Sequence, residues 1–226
     1  MQTSKRQAKA LEKLKELKVF TARDLKLLLN LNQTQTYNLI KSLKKKNHIE
    51  MIKKGLYCLK GTDEMVIAPR IVYPSYISFL SALNYYELTD QFSKKIILTT
   101  TKRKKHKDYI FVTLKNERFF GYIKIDNIII AEKEKALIDS LLLPKYSGGI
   151  KTIINCFERN INTKKLYEYA MRVNSKIVLR RLGYILEKLN IKFNYKLKIG
   201  KGYELLDPAK PKKNNYSKKW LLDVNL

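Results

Sequence analysis

Apolar residues in the first quarter of the chain recur at helical spacing and are interrupted at short intervals. Leu11, Leu14 and Leu17 stand among lysines and glutamates, which predicts an amphipathic helix over about residues 4–18. Thr21 is a capping residue ahead of ARDLKLLLN, a second helix that puts Leu25, Leu28 and Leu29 on one face and ends near Asn30. After a turn of about three residues, Asn32 or Thr34 is placed to cap a third helix, in which Thr36, Leu39, Ile40 and Leu43 fall at the i, i+3, i+4, i+7 positions of a buried stripe. IEMI and LYCLK then read as two short strands around a Lys53-Lys54-Gly55 tip.

Two short helices joined by a tight turn and followed by a hairpin predict a winged helix-turn-helix over residues 1–60. The third helix turns Thr34, Tyr37, Asn38, Lys41 and Lys45 away from its apolar stripe, and Gln33, Gln35 and Lys44 complete the polar set. Amides and hydroxyls can hydrogen-bond base edges in the major groove, lysines toward the helix C-terminus can reach flanking phosphates, and Lys53 and Lys54 are placed for backbone phosphate at the wing.

Beyond this the texture changes. KGTDEMVIAPRIVYP breaks the periodicity and holds two prolines, so residues 61–73 are expected to be a linker and 74–226 a larger α+β domain, giving an α+β chain overall. PSYISFLSALNYYEL reads as a helix capped by Ser75, KIILTTT as a strand, and DYIFVTLKN with ERFFGYIKID as two strands around an Asn116-Glu117 turn. AEKEKALIDSLLLPK, IKTIINCFERN, TKKLYEYAMRV and SKIVLRRLGYILEKLN read as helices. The chain closes on a short strand, a proline- and lysine-rich loop and a last apolar strand carrying Trp220, the single tryptophan.

Charge narrows the partner. The 226 residues hold 47 Lys and Arg against 20 Asp and Glu, a net +27, which repels itself unless a polyanion offsets it. Residues 1–60 carry 15 Lys and Arg against 4 acids, a net +11. The run TKRKKHKD adds a cationic loop, Lys102 to Lys107, whose role the sequence leaves open. Cys58 and Cys156 form no CxxC pair, so neither a zinc site nor a disulfide framework is indicated. With no apolar signal core at the N-terminus and no run of 18 apolar residues, a cytoplasmic protein without a membrane partner is expected.

Candidate catalytic chemistry is sparse. His48 lies beside the wing and His106 within the lysine run, and neither has the look of half a catalytic pair. Phosphate-loop, dinucleotide-binding, zinc-protease and nucleophile-elbow motifs are not found, so no enzyme, no catalytic residue, no metal and no cofactor is expected. Glu132, Glu134 and Asp139 are where metal-dependent chemistry would be sought. A glutamate at a helix N-terminus is explained by the macrodipole, and i,i+4 pairing with lysine accounts for the rest.

Taken together, the predicted winged helix with PSYISFLSALNYYELTD, AEKEKALIDSLL, VLRRLGYILEKL and the ending LLDPAKPKKNNYSKKWLLDVN resembles the AbiEi-type antitoxins, also described as AbiEi-like transcriptional regulators. The resemblance runs from Phe20 to Asn225. It implies a winged helix that binds inverted repeats in its own promoter, and a C-terminal α+β domain that counteracts a nucleotidyltransferase-like toxin in a type IV toxin–antitoxin, abortive-infection operon. It also implies that Gln33 to Lys45, with Lys53 and Lys54, are the DNA-reading positions. Gly55-Leu56-Tyr57 fits the usual end of the family's wing, whereas Asn47-His48 replaces a more typical lysine- or arginine-glycine step. A stand-alone regulator and a DNA-targeted nuclease or nucleotide-transfer enzyme are the competing readings.

Overall fold

The computed structural model describes residues 5–157, 161–192 and 200–226. The chain is mixed α+β and divides into two compact units, Met1–Tyr73 with Lys124–Ile128, and Pro74–Ile123 with Ile129–Leu226.

The first unit runs α1 (Lys5–Leu17), β1 (Val19–Thr21), α2 (Ala22–Leu29), α3 (Gln33–Lys45), β2 (Ile49–Lys53), β3 (Leu56–Leu59) and α4 (Glu64–Ile71). The Thr21 hydroxyl accepts the Asp24 N–H and the Asp24 carboxylate accepts the Thr21 N–H at 2.7 Å, a reciprocal cap that starts α2. Asn30 ends that helix in the left-handed region at φ 49°, which asparagine tolerates. Asn32 opens α3 with the same device, its side chain accepting the Gln35 N–H at 2.8 Å while Gln35 Oε1 accepts the Asn32 N–H. The turn between α2 and α3 is therefore set at both ends by local hydrogen bonds.

Antiparallel pairing orders the small sheet β1-β3-β2. Its helices close over Ala10, Leu14, Phe20, Leu25, Leu31, Leu39, Ile40, Leu43 and Ile49. Each fully buried leucine or isoleucine contributes about 1.5–3 kcal/mol relative to exposure. Leu25 is fully buried while Leu28 and Leu29 are only partly covered, so the apolar face of α2 is narrower than its sequence implies.

Residues 61–73 differ from the expected linker because most of them, Glu64–Ile71, form α4. Asp63 caps it by accepting the Met65 N–H at 2.8 Å, and Val66, Ile67, Ala68, Pro69 and Ile71 are buried. Apolar residues this dense gain more from burial than Pro69 loses by lacking one helical N–H. The division between the units falls at the other proline, Pro74.

From Pro74 onward the chain runs β4 (Ser75–Ile77), α5 (Phe79–Tyr85), β5 (Ile96–Thr100), β6 (Tyr109–Thr113), β7 (Tyr122–Ile125), β8 (Ile128–Ala131), α6 (Lys133–Leu142), α7 (Ile150–Cys156), α8 (Thr163–Val173), α9 (Lys176–Lys188), β9 (Glu204–Leu205), β10 (Tyr216–Ser217) and β11 (Leu222–Asp223), all of it in the second unit except Lys124–Ile128. Its large sheet has the order β6-β5-β4-β8-β7. Strand β4 pairs antiparallel with β5 and parallel with β8, so Ser75, expected to cap a helix, lies in the middle strand instead, and Ser78 stands at the N-cap of α5. The strands expected to form a hairpin around Asn116-Glu117 lie at opposite edges of the sheet, and a short 3-10 turn, Asn116–Arg118, occupies that position. The hairpin is β7–β8, turned by Asp126 and Asn127 with φ of 46° and 77°.

Helix α6 is buried along nearly its whole length and is contacted by α5, α7, α8 and α9. Strands β9, β10 and β11 form a small C-terminal sheet in the order β10-β11-β9. Trp220 sits in the β10–β11 connection and not in the last strand. The Asp223 carboxylate accepts the N–H groups of Lys213, Asn214 and Asn215, and the Asn225 amide donates to the carbonyls of Asp207, Lys210 and Pro211. A lysine-rich segment with little apolar content is thereby held by side chains that stand in for a β ladder. The second half of IKTIINCFERN includes residues 158–160, which lie outside the described residues.

Candidate nucleic-acid interface

Helix α3 divides sharply by solvent access. Thr36, Leu39, Ile40 and Leu43 are buried, and Gln33, Thr34, Gln35, Tyr37, Asn38, Lys41, Lys44 and Lys45 are all exposed. Tyr37 keeps 55% of its surface in solvent, a large share for an aromatic residue that the core could have used. The exposed face runs from amides and hydroxyls at the N-terminus to cations at the C-terminus, where positive charge also suits the helix dipole. Such a surface offers donors and acceptors for base edges and point charges for phosphates.

The candidates are not equally free. The Oε1 atom of Gln35 takes the Asn32 N–H of the cap and an N–H of Arg6 at 3.1 Å, so its carbonyl is committed to folding and only its NH₂ remains for a ligand. At the hairpin tip, Lys53 donates to the carbonyl of Ile71 at 2.6 Å, the last residue of α4, whereas Lys54 is exposed at the turn. Lys54 is thus the freer cation of the two.

Residues outside the expected set join the surface. Arg23 and Lys26 of α2 line a groove of about 330 Å³ with Ala22, Gln33, Thr36 and Tyr37. Their signal in the sequence was their charge on α2, flanking the capping Asp24 and the buried Leu25. Behind α3, Lys46 donates to the Gln7 side chain at 2.7 Å and Gln7 donates to the Ser42 hydroxyl, tying α1 to α3. Gln7 is buried and sets the position of the helix from its inner side.

The acidic candidates Glu132, Glu134 and Asp139 are engaged one by one. Burial alone would raise the Glu132 carboxyl, but hydrogen bonds from Lys165, at 2.6 Å, and Tyr169 outweigh it and hold Glu132 below the usual range. Glu134 accepts the Asn162 N–H at 3.1 Å. Asp139 is fully buried and ion-paired to Lys135, with Tyr76 and Ser78 donating to its other oxygen at 3.1 and 2.9 Å. Among the described residues, no group of three or more His, Cys, Asp and Glu is arranged to hold a metal ion. His106 lies against the Tyr109 ring with centroids 4.9 Å apart, and among the described residues no helix is long and apolar enough to cross a membrane.

No protein-family model matches the chain, and no curated protein matches it either.

Proposed function

We propose that the chain is a DNA-binding antitoxin and transcriptional autorepressor of a type IV toxin–antitoxin operon. In this reading its first unit is a winged helix-turn-helix that grips operator DNA, and its second unit counteracts a nucleotidyltransferase-like toxin. The observation that carries the DNA-binding half is the exposed face of α3, polar and then cationic, set opposite a fully buried stripe. Arg23 and Lys26 extend the cationic surface beside it, Lys54 adds an exposed cation at the hairpin tip, and the net +27 charge favours a polyanionic partner. The antitoxin half rests on the blocks of resemblance that continue through the second unit.

Gel shifts on duplex from the region upstream of the gene test the first half. Affinity should fall by about 0.9 log units per log unit of salt for each phosphate neutralised. Asn38→Ala should weaken the specific site about tenfold and spare random duplex, whereas Lys54→Ala should weaken both alike. Gln35→Ala should in addition lower stability by about 1 kcal/mol, because the Asn32 N–H loses its acceptor while the Asn32 side chain still caps the helix. Binding that ignores salt, or a preference for the upstream duplex that survives Asn38→Ala unchanged, overturns the assignment.

The second half is tested by co-expression with a nucleotidyltransferase-like toxin encoded beside the gene. A fragment beginning at Pro74 should restore survival without binding operator DNA. Protection by the full-length chain alone would tie neutralisation to DNA binding and refute this division of labour.

A further inference from the structure

Arg181 of α9 is 4% exposed and donates to three backbone carbonyls, Leu141 at 2.7 Å, Leu206 at 2.9 Å and Leu205 at 3.2 Å. No carboxylate lies within ion-pair distance of it among the described residues. A guanidinium has five N–H groups, so carbonyl bonding leaves two over. Burial accordingly pulls Arg181 down to about 10, with only the more distant Glu204 and Asp207 acting to raise it.

This cation lines two cavities, of about 360 and 450 Å³, that also share Glu204 and Pro208. Both volumes fall in the range of small-molecule sites. In the first, the remaining walls come from Tyr203, Leu205, Lys212, Tyr216 and Asp223. Both carboxylates of that lining are already engaged. Glu204 is ion-paired with the buried Arg180 at 3.3 Å, and Asp223 holds the three N–H groups of the preceding loop. Lys212 has no hydrogen-bond or ion-pair partner among the described residues, and with Arg180 counted beside the lining, three cations, Arg180, Arg181 and Lys212, face two carboxylates, Glu204 and Asp223.

The walls add a second chemistry. Tyr203 and Tyr216 are 47% and 49% exposed, and their rings lie 4.8 Å apart at 58°. The Tyr216 hydroxyl donates to Asn214 at 2.9 Å, which fixes its ring on the edge strand β10. Two ordered aromatic rings held open to water beside a buried guanidinium and a free ammonium suit a ligand with a flat ring and an anionic tail.

We propose that this cavity binds a mononucleotide, its phosphate facing Arg181 and Lys212 and its base stacking on Tyr203 or Tyr216. A nucleotide fits better than a simple anion, which would leave the tyrosine pair unused, and better than an uncharged ring, which would leave the cations unused.

The test is equilibrium binding of AMP, adenosine and inorganic phosphate to the full-length protein in low salt without DNA. AMP should bind saturably, and adenosine and phosphate should each bind at least about tenfold more weakly, since each keeps only one of the two contacts. Tyr203→Ala and Lys212→Ala, both at exposed positions, should weaken AMP about tenfold, the scale of one lost stacking contact, and about two- to fivefold, the scale of one exposed charge pair, respectively. A Lys41→Gln/Lys45→Gln variant should bind AMP as the wild type does, which separates this cavity from the α3 surface. Absence of saturable AMP binding at millimolar concentration overturns the proposal. So does AMP binding untouched by both cavity variants, or phosphate binding as tight as AMP.

Discussion

Asp139→Ala is expected to cost the second unit about 3–5 kcal/mol, the penalty for leaving a buried charge without its partner. Lys135 is fully buried in α6, and its ammonium is ion-paired to Asp139 and donates to the Tyr76 hydroxyl at 3.0 Å. It also lies 4.8 Å from the centre of the Phe120 ring. Burial drives the lysine below its ordinary pKa, and the Asp139 charge offsets this only in part. Removing the carboxylate removes that offset and also leaves the hydroxyl protons of Tyr76 and Ser78 without their acceptor. Urea unfolding followed by circular dichroism should show a lower midpoint with an unchanged slope. The double variant Lys135→Met/Asp139→Leu should recover much of the loss, because apolar side chains of similar size do not need a counter-charge. A cost below about 1 kcal/mol for Asp139→Ala would mean that water reaches the pair and that it does not hold the unit together.

That pair also marks where sequence reading stopped. Lys135 and Asp139 were visible at i,i+4 spacing, and the spacing reads equally well as a solvated surface pair. What buries them is Tyr76, 59 positions earlier in the chain, on a strand too short to announce itself. Ser75, Tyr76 and Ile77 are all buried in the middle of the sheet, so they lack the alternation that identifies a half-exposed strand and merge with the helix that follows. Helix α3 was legible for the opposite reason. Its stripe of Thr36, Leu39, Ile40 and Leu43, its cap at Asn32 and its exposed polar face are all set within four turns of one helix. The partial commitment of Gln35 and Lys53 was harder to foresee, because Arg6 and Ile71 approach them from other elements. Mixed α+β character followed from the alternation of helical and strand-like patterns, whereas the order of strands in the sheet depends on pairings between distant segments that periodicity does not encode.

Gly183→Ala is expected to release the C-terminal hairpin from α9. A Cβ at Gly183 would come within 2.0–2.5 Å of three atoms of the six-membered ring of Trp220, which packs against the helix at that point. Elsewhere on a helix the same change would stabilise by up to about 1 kcal/mol through propensity. Here the ring has to leave, giving up its burial against α9 and the hydrogen bond from its indole N–H to Glu187 at 3.0 Å. The loss of packing, about 1–3 kcal/mol for an overfilled site, therefore outweighs the gain. Trp220 is the only tryptophan, so its fluorescence reports this contact alone. Emission should shift to the red and become more open to iodide quenching in the variant. Glu187→Gln keeps an acceptor for the indole while removing the charge that Lys219 pairs with, so it should leave the emission nearly unchanged. An unshifted spectrum in Gly183→Ala would show that α9 can move aside at no cost, and that the tryptophan does not pin the C-terminal sheet to the helix.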